Sequence, residues 1–323
     1  MVNEGDLMWT PSLEFASKSR MADYVTWLHE QRGLVFEDYE PLRAWSAENI
    51  EEFWVTIWDY FEIQSRTPYK KVLDTRAMPG GKWFEGATVN YAEHVLRNER
   101  TAFDGKPAIY YTNEQTGIST LSWQELGRRV RRVATSLRAL GLKSGDRAVA
   151  YMPNVPEAII AFLACASIGV TWASSAPEFG VATVTDRFAQ IEPRLLFVCD
   201  GYRFNGSEFA RENEVQALVE RLPTLEHVIC CPIIRPDRQD AIVQKGRLWS
   251  DLLSGDDVDA ADFHFEPMPF DYALWVLFSS GTTGLPKAIA QSHVGIVLEH
   301  YKLTALHMGL NQNSVMFFFT TTG

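Results

Sequence analysis

Ile50, Phe53, Trp54, Ile57, Trp58 and Phe61 recur at helical spacing, which predicts a helix with one wide aromatic face turned to a packing partner. Ser46 stands ahead of it as the expected N-cap. Residues 1–45 carry aromatics and mixed charge without a clear period. Trp83-Phe84-Glu85-Gly86-Ala87-Thr88-Val89-Asn90-Tyr91-Ala92-Glu93 reads as a loop entering another helix, with no chemistry legible in it.

From about residue 106 short apolar runs alternate with helical periods. Ala108–Thr112, Ala148–Met152, Val170–Ser174, Leu195–Cys199, His227–Cys231 and Leu274–Phe278 are predicted strands, with Val315–Thr320 the last. Ser122-Trp123-Gln124-Glu125 has the form of a capping box. Behind it Leu126, Val130, Val133, Leu137 and Leu140 form an apolar stripe that ends near Gly141. Arg128, Arg129, Arg131 and Arg132 on the same helix read as a solvated face in preference to a phosphate patch. Pro156–Gly169 predicts a largely buried helix with proline in its first turn. Residues 235–270, rich in Asp, Pro and Gly, read as a surface excursion. Strands alternating with helices argue for an α/β fold of layered, mostly parallel sheets flanked by helices. The expected division is a helical region over 1–95 and an α/β domain over 96–323. A chain ending on an apolar strand and Thr321-Thr322-Gly323 reads as interrupted, so the second domain is expected to be truncated.

The charge balance narrows the partners. The 41 Asp and Glu against 30 Lys and Arg give a net charge of −11, which disfavours a grip on nucleic acid or on an anionic membrane. An anionic cofactor would need local backbone donors and a few placed cations. Cys165 and Cys199 sit in apolar runs, and Cys230 and Cys231 are adjacent, with no Cys-x-x-Cys. That pattern suits free thiols in a reducing cytoplasm and offers no metal site. The acidic start Met1-Val2-Asn3-Glu4-Gly5-Asp6 lacks the layout of a signal peptide. The longest apolar stretch, 158–170, falls short of the roughly 20 residues that span a bilayer.

Candidate chemistry gathers in one place. The apolar strand Leu274–Phe278 runs into Ser279-Ser280-Gly281-Thr282-Thr283-Gly284-Leu285-Pro286-Lys287. Glycines let successive backbone N–H groups converge into an anion nest. Serine and threonine hydroxyls add neutral donors that reach phosphate oxygens or a bound magnesium ion. Lys287 adds a compact cation, and Pro286 stiffens the exit. A polar turn between two strands would use similar residues. The length and order of this run favour a polyphosphate clamp instead. It is not a Walker loop, because Leu285 and Pro286 separate the glycine from the lysine and Ala288 follows it. Nor does it carry the Gly-x-Gly-x-x-Gly of a dinucleotide fold.

The run 279–287 resembles the signature loop of the AMP-forming acyl-CoA synthetases, adenylation domains and luciferases. Residues 83–93 resemble the N-terminal region of the short-chain branch of that family. Ser174-Ser175-Ala176-Pro177-Glu178-Phe179-Gly180, Asp186-Arg187-Phe188 and Phe317-Phe318-Phe319-Thr320-Thr321-Thr322-Gly323 look most like its acetoacetate-activating members. The resemblance covers the chain from about residue 30. It implies a two-step ligation in which acetoacetate and ATP give an acyl-adenylate and pyrophosphate, and coenzyme A then displaces AMP. It implies that Ser279, Ser280, Gly281, Thr282, Thr283, Gly284 and Lys287 contact the ATP phosphates, with Mg²⁺ as companion. Thr320, Thr321 and Thr322 would approach the centre of the site. No catalytic residue and no metal ligand is assigned. His293, after the post-loop strand, reads as a structural histidine near a helix start. Asn205-Gly206-Ser207 departs from the Asn-Gly-Lys of the acetoacetate-activating members, which puts one coenzyme A contact in doubt.

Family members run to roughly twice this length. The adenine, ribose and hinge motifs and the mobile C-terminal domain do not occur here, and the acyl pocket is expected beyond Gly323. Three readings follow. The first is an N-terminal piece of an acetoacetate–CoA ligase, inactive by itself and lacking the C-terminal half of its own chain. The second is a related ligase for acetate or propionate. The third is a non-catalytic nucleotide-binding remnant.

Overall fold

The computed structural model describes residues 2–279 and 284–322. They fall into two compact units interleaved along the chain. The first takes the described residues of 1–64, 68–86 and 295–318, and the second takes those of 65–67, 87–294 and 319–323.

The first unit begins with α1 (Leu13–Ser17), α2 (Arg20–Arg32), α3 (Tyr39–Glu48) and α4 (Ile50–Tyr60). The aperiodic first 45 residues thus hold helices that are set by caps. Ser19 Oγ accepts from the Ala22 amide at 3.1 Å to open α2, and Gly33 ends it in the left-handed region at φ 68°. Ser46 is not the cap of α4. It lies inside α3, where its hydroxyl donates to the Arg43 carbonyl at 2.8 Å. Asn49 occupies the cap position of α4 without a side-chain capping bond, its Nδ2 donating back to the Trp45 carbonyl at 3.2 Å, because α3 runs almost directly into α4. The aromatic face of α4 does pack as its spacing requires. Trp58 stacks on Phe84 with ring centroids 4.6 Å apart, and Trp54 meets Trp83 edge-on. Phe84 and Trp83 come from β2 (Trp83–Glu85), which pairs antiparallel with β1 (Lys71–Leu73).

The second unit opens with β3 (Thr88–Val89), α5 (Tyr91–Leu96), α6 (Asn98–Thr101) and the hairpin of β4 (Pro107–Asn113) with β5 (Thr116–Ser122). Then come α7 (Trp123–Ala139), β6 (Arg147–Tyr151), α8 (Pro156–Ser167), β7 (Thr171–Ser175), α9 (Val181–Phe188) and β8 (Leu195–Cys199). A second hairpin, β9 (Gly201–Phe204) with β10 (Ser207–Ala210), leads to α10 (Glu212–Arg221) and β11 (His227–Cys231). The unit continues through β12 (Arg247–Leu248), α11 (Trp249–Leu252), β13 (Met268–Pro269), β14 (Ala273–Ser279) and β15 (Lys287–Ser292) to the start of α12 (His293–Tyr301).

One seven-stranded sheet has the order β12-β11-β8-β6-β7-β14-β15. All its pairings are parallel except that of β14 with the edge strand β15. Val149, Tyr151, Leu196 and Val198 on one face pack with Val184 and Phe188 of α9 and with Val215 and Leu218 of α10. Each predicted strand from 148 to 278 appears within a residue or so of its expected bounds, since a buried parallel strand is a local apolar run. Val315–Thr320 has the composition of a strand but forms none.

Two expectations about the middle of the chain change. The excursion over 235–270 is not merely surface, because Trp249, Leu252, Phe263, Phe265 and Met268 are buried. The arginines of α7 hold it in place. Arg131 Nε donates to the Val258 carbonyl at 2.8 Å, Arg132 Nη1 to that of Leu253 at 2.9 Å, and Arg138 Nη2 to that of His264 at 2.5 Å. Arg131 and Arg132 thus clamp backbone and are not part of a solvated face, whereas Arg128 and Arg129 stay half-exposed and bond the Glu125 carboxylate.

Candidate nucleotide-phosphate site

Ser279, the last residue of β14, stands opposite Lys287, the first of β15. The signature run is therefore a hairpin connection whose two ends face each other across the ladder. β14 is a parallel neighbour of β7, so the loop leaves the carboxyl edge of the sheet. Open α/β sheets bind ligands at that edge. Gly284 has φ 99° and no heavy atom within 4 Å of an added Cβ, so backbone conformation and not crowding calls for glycine there. Gln190, in the 3₁₀ turn after α9, donates through Nε2 to the Pro286 carbonyl at 2.9 Å and pins the loop exit. Lys287 is exposed. Ser280, Gly281, Thr282 and Thr283 lie outside the described residues.

The threonine run lies at the same edge. Asn154 Nδ2 donates to the Thr320 carbonyl at 2.7 Å, and Thr322 Oγ1 donates to the Met152 carbonyl at 2.8 Å. Ser174 Oγ donates to the Thr322 carbonyl. These bonds lay 320–322 across the carboxyl ends of β6 and β7. Thr322 also lines a cavity of about 250 Å³ with Met152, Trp172, Ser174, Trp275 and Leu277. The hydroxyl of Ser174 and the threonine apart, its walls are apolar.

Several residues singled out by resemblance prove to be supports for this edge. Tyr151 Oη shares its proton between the carbonyls of Pro177 and Phe179, at 2.6 and 2.8 Å, and Arg211 Nε donates to Pro177 at 2.7 Å. Arg187 lies 5.0 Å over the Phe179 ring, and Phe188 is fully buried. The motif at 174–188 is therefore a braced loop and helix start. The Asn205 and Gly206 amides donate to the Glu114 carboxylate at 2.6 and 2.8 Å, so the turn beside Ser207 already holds an anion from its own chain.

Two further supports carry less signal in the sequence. Asn90 Oδ1 accepts from the Ala92 amide at 2.9 Å and caps α5, while its Nδ2 donates to the carbonyls of Ala166 at 2.8 Å and Glu266 at 2.9 Å. One side chain thus ties α5, the end of α8 and the segment just before β13. An Asn before a helix start is the only local hint. His293 opens α12, is fully buried, and accepts at Nδ1 from the Tyr91 amide at 3.2 Å. Burial pushes its pKa down to about 3, so the ring is neutral and structural. The four cysteines are buried and free, and burial raises their thiols, Cys199 to about 12 and Cys230 to about 11. Among the described residues no group of three or more His, Cys, Asp or Glu is placed to hold a metal ion. No helix among them is long and apolar enough to cross a membrane.

A signature hairpin on the carboxyl edge of a mostly parallel sheet is matched by family similarity. Residues 96–321 match the AMP-binding enzyme family and residues 39–95 match the acetyl-coenzyme A synthetase N-terminus. The chain belongs to the AMP-binding enzyme family. It is 36% identical to the acetoacetyl-coenzyme A synthetase of Rhizobium meliloti (strain 1021), over 98% of this chain and 48% of that protein. It superposes on the acetoacetyl-CoA synthetase from Streptomyces lividans with a TM-score of 0.92 and 41% identity, covering 98% of this chain and 48% of the other. Malonamoyl-CoA synthetase vrtB from Penicillium aethiopicum is 31% identical over 98% of this chain and 44% of its own length. The chain spans about half the length of the curated relatives it matches.

Proposed function

We propose that this chain is the ATP-gripping half of an AMP-forming ligase that joins acetoacetate to coenzyme A. The observation that carries the reading is the signature hairpin Ser279–Lys287 at the carboxyl edge, with Thr320–Thr322 beside it. In the first step a carboxylate oxygen of acetoacetate attacks the α-phosphorus of ATP, and the bond to pyrophosphate breaks. In the second, the coenzyme A sulfur attacks the acyl carbon, AMP leaves, and the thiol proton is lost to solvent. The loop's amides and hydroxyls, with Lys287, would hold the β- and γ-phosphates while charge builds on pyrophosphate, which is positioning and electrostatic stabilisation. Thr320, Thr321 and Thr322 would border the reacting phosphate. Mg²⁺ is proposed only as the companion of ATP. The described residues bring no carboxylate set to it, and no step is assigned to it.

The relatives' names support the acid. Acetoacetate and malonamate are both short acids with a carbonyl at the third carbon, which favours that class over acetate and propionate. The remaining groups of the site would come from a second half like that of the relatives. The test supplies that half from the Streptomyces lividans enzyme by co-expression. Pyrophosphate release is expected to depend on acetoacetate, and acetoacetyl-CoA is expected only when both halves are present. Steady thioester formation by the 323-residue chain alone, or faster turnover of acetate or propionate, would contradict the reading.

A further inference from the structure

Lys287 carries the only charge of the run 279–287, on a flexible four-carbon stem. A cation so mounted serves a phosphate best when its backbone is held in one orientation. Two contacts hold it. On one side Lys287 stands opposite Ser279 in the β14–β15 ladder. On the other, the Pro286 carbonyl accepts the 2.9 Å bond from Gln190 Nε2. A peptide unit is planar, so a grip on the Pro286 oxygen also orients the nitrogen and Cα of Lys287. Pro286 fixes its own φ, which stiffens the residue between the turn at Gly284 and the lysine.

Gln190 is itself anchored. Its Nε2 also donates to the Asp186 carbonyl at 2.7 Å, so the two N–H groups of one amide span the end of α9 and the loop exit. The turn that bears it is fixed on both sides. Phe188 before it is fully buried. After it, Arg147 Nε donates to the Ile191 carbonyl and Arg147 Nη2 to the Glu192 carbonyl, each at 2.7 Å. A carboxylate of the same length would have no proton to give either acceptor.

We propose that Gln190 is a positioning residue of the phosphate clamp, which aims Lys287 at the outer phosphates of ATP by fixing the Pro286–Lys287 peptide to the end of α9. The proposal rests on the phosphate-grip reading of the loop. Gln190 touches no phosphate and acts through Lys287.

The test titrates the 323-residue chain, Gln190→Met, Lys287→Met and the double variant with ATP and with AMP by calorimetry, with melting temperatures measured alongside. Gln190→Met keeps the side-chain length and removes both donors. It is expected to weaken ATP about two- to fivefold, the worth of one surface hydrogen bond, and to leave AMP affinity and the melting temperature unchanged. In the Lys287→Met background the same substitution is expected to have almost no effect on ATP, because the group it aims is gone. An ATP affinity indifferent to Gln190, equal losses for ATP and AMP, or the same loss with and without Lys287 would overturn the proposal. A parent chain that prefers ATP, and loses the preference with Lys287→Met but not with Gln190→Met, would overturn it while leaving the phosphate grip standing. A parent that does not prefer ATP to AMP would overturn the grip and the proposal together.

Discussion

Asn90 shows how much structure one side chain can carry without announcing it. Its amide group bonds to partners 76 and 176 residues away, so no local pattern could have revealed the role. Asn90→Ala removes a helix cap and leaves two interior carbonyls without their donor, which is expected to cost about 2–4 kcal/mol. Asn90→Asp keeps the cap but sets a carboxylate against those carbonyls, and is expected to cost at least as much. Urea unfolding at neutral pH checks both, and an Asp variant as stable as the parent would contradict the assignment. His293 was legible as structural from its place at a helix start, but its consequence for acid stability needed its burial. Its folded pKa of about 3 lies below the ordinary 6.5, so the unfolded chain binds the extra proton. The associated stability is whole above about pH 6.5 and drains away as pH falls toward about 3. At pH 5 the loss is expected to be about 2 kcal/mol. His293→Gln should flatten this slope between pH 7 and 4, and parallel curves for parent and variant would show the ring to be uninvolved.

The element scale explains which predictions from pattern held. The strands at 195–199 and 227–231 were read to the residue because each is a continuous apolar run buried on both faces. Val315–Thr320 has equally strong strand composition and forms none. The stripe of α7 was legible, and Ser122 caps it, accepting from the Glu125 amide at 3.1 Å. The Glu125 carboxylate, however, binds Arg128, which holds it below its usual range and leaves the capping box half made. Arg131 and Arg132 were misjudged because they reach backbone carbonyls of a distant segment, whereas Arg128 and Arg129 stay half-exposed and bond the Glu125 carboxylate of their own helix. Within the same helix Gly127 marks a close approach. A Cβ there would sit 2.1 Å from Glu99 Oε2, and Arg131 fixes that carboxylate with two bonds of 2.6 and 2.9 Å. Helix propensity alone favours Gly127→Ala by about 1 kcal/mol. The clash is expected to reverse that sign and leave the variant about 1–3 kcal/mol less stable, as thermal unfolding will show. A stabilised variant would mean the Glu99–Arg131 pair shifts freely.

At the scale of the whole molecule, the family was legible because its signature is a contiguous loop, whereas the setting of that loop was not. The structure shows why the loop and the threonine run belong together: β6, β7 and β14 are neighbours that point their carboxyl ends the same way. Thr322 lies 170 residues from Met152 along the chain, and β14 is far in sequence from β6 and β7, so only the sheet order joins them. The proposed role of the edge is a grip on the two outer phosphates of ATP. The most direct measurement titrates the intact chain and its Lys287→Met variant with ATP and with AMP by calorimetry. The parent is expected to bind ATP well above AMP, and the substitution to weaken ATP at least tenfold, about 1.4 kcal/mol, with AMP unaffected. Equal affinity for ATP and AMP, or an ATP affinity indifferent to Lys287, would contradict the phosphate grip.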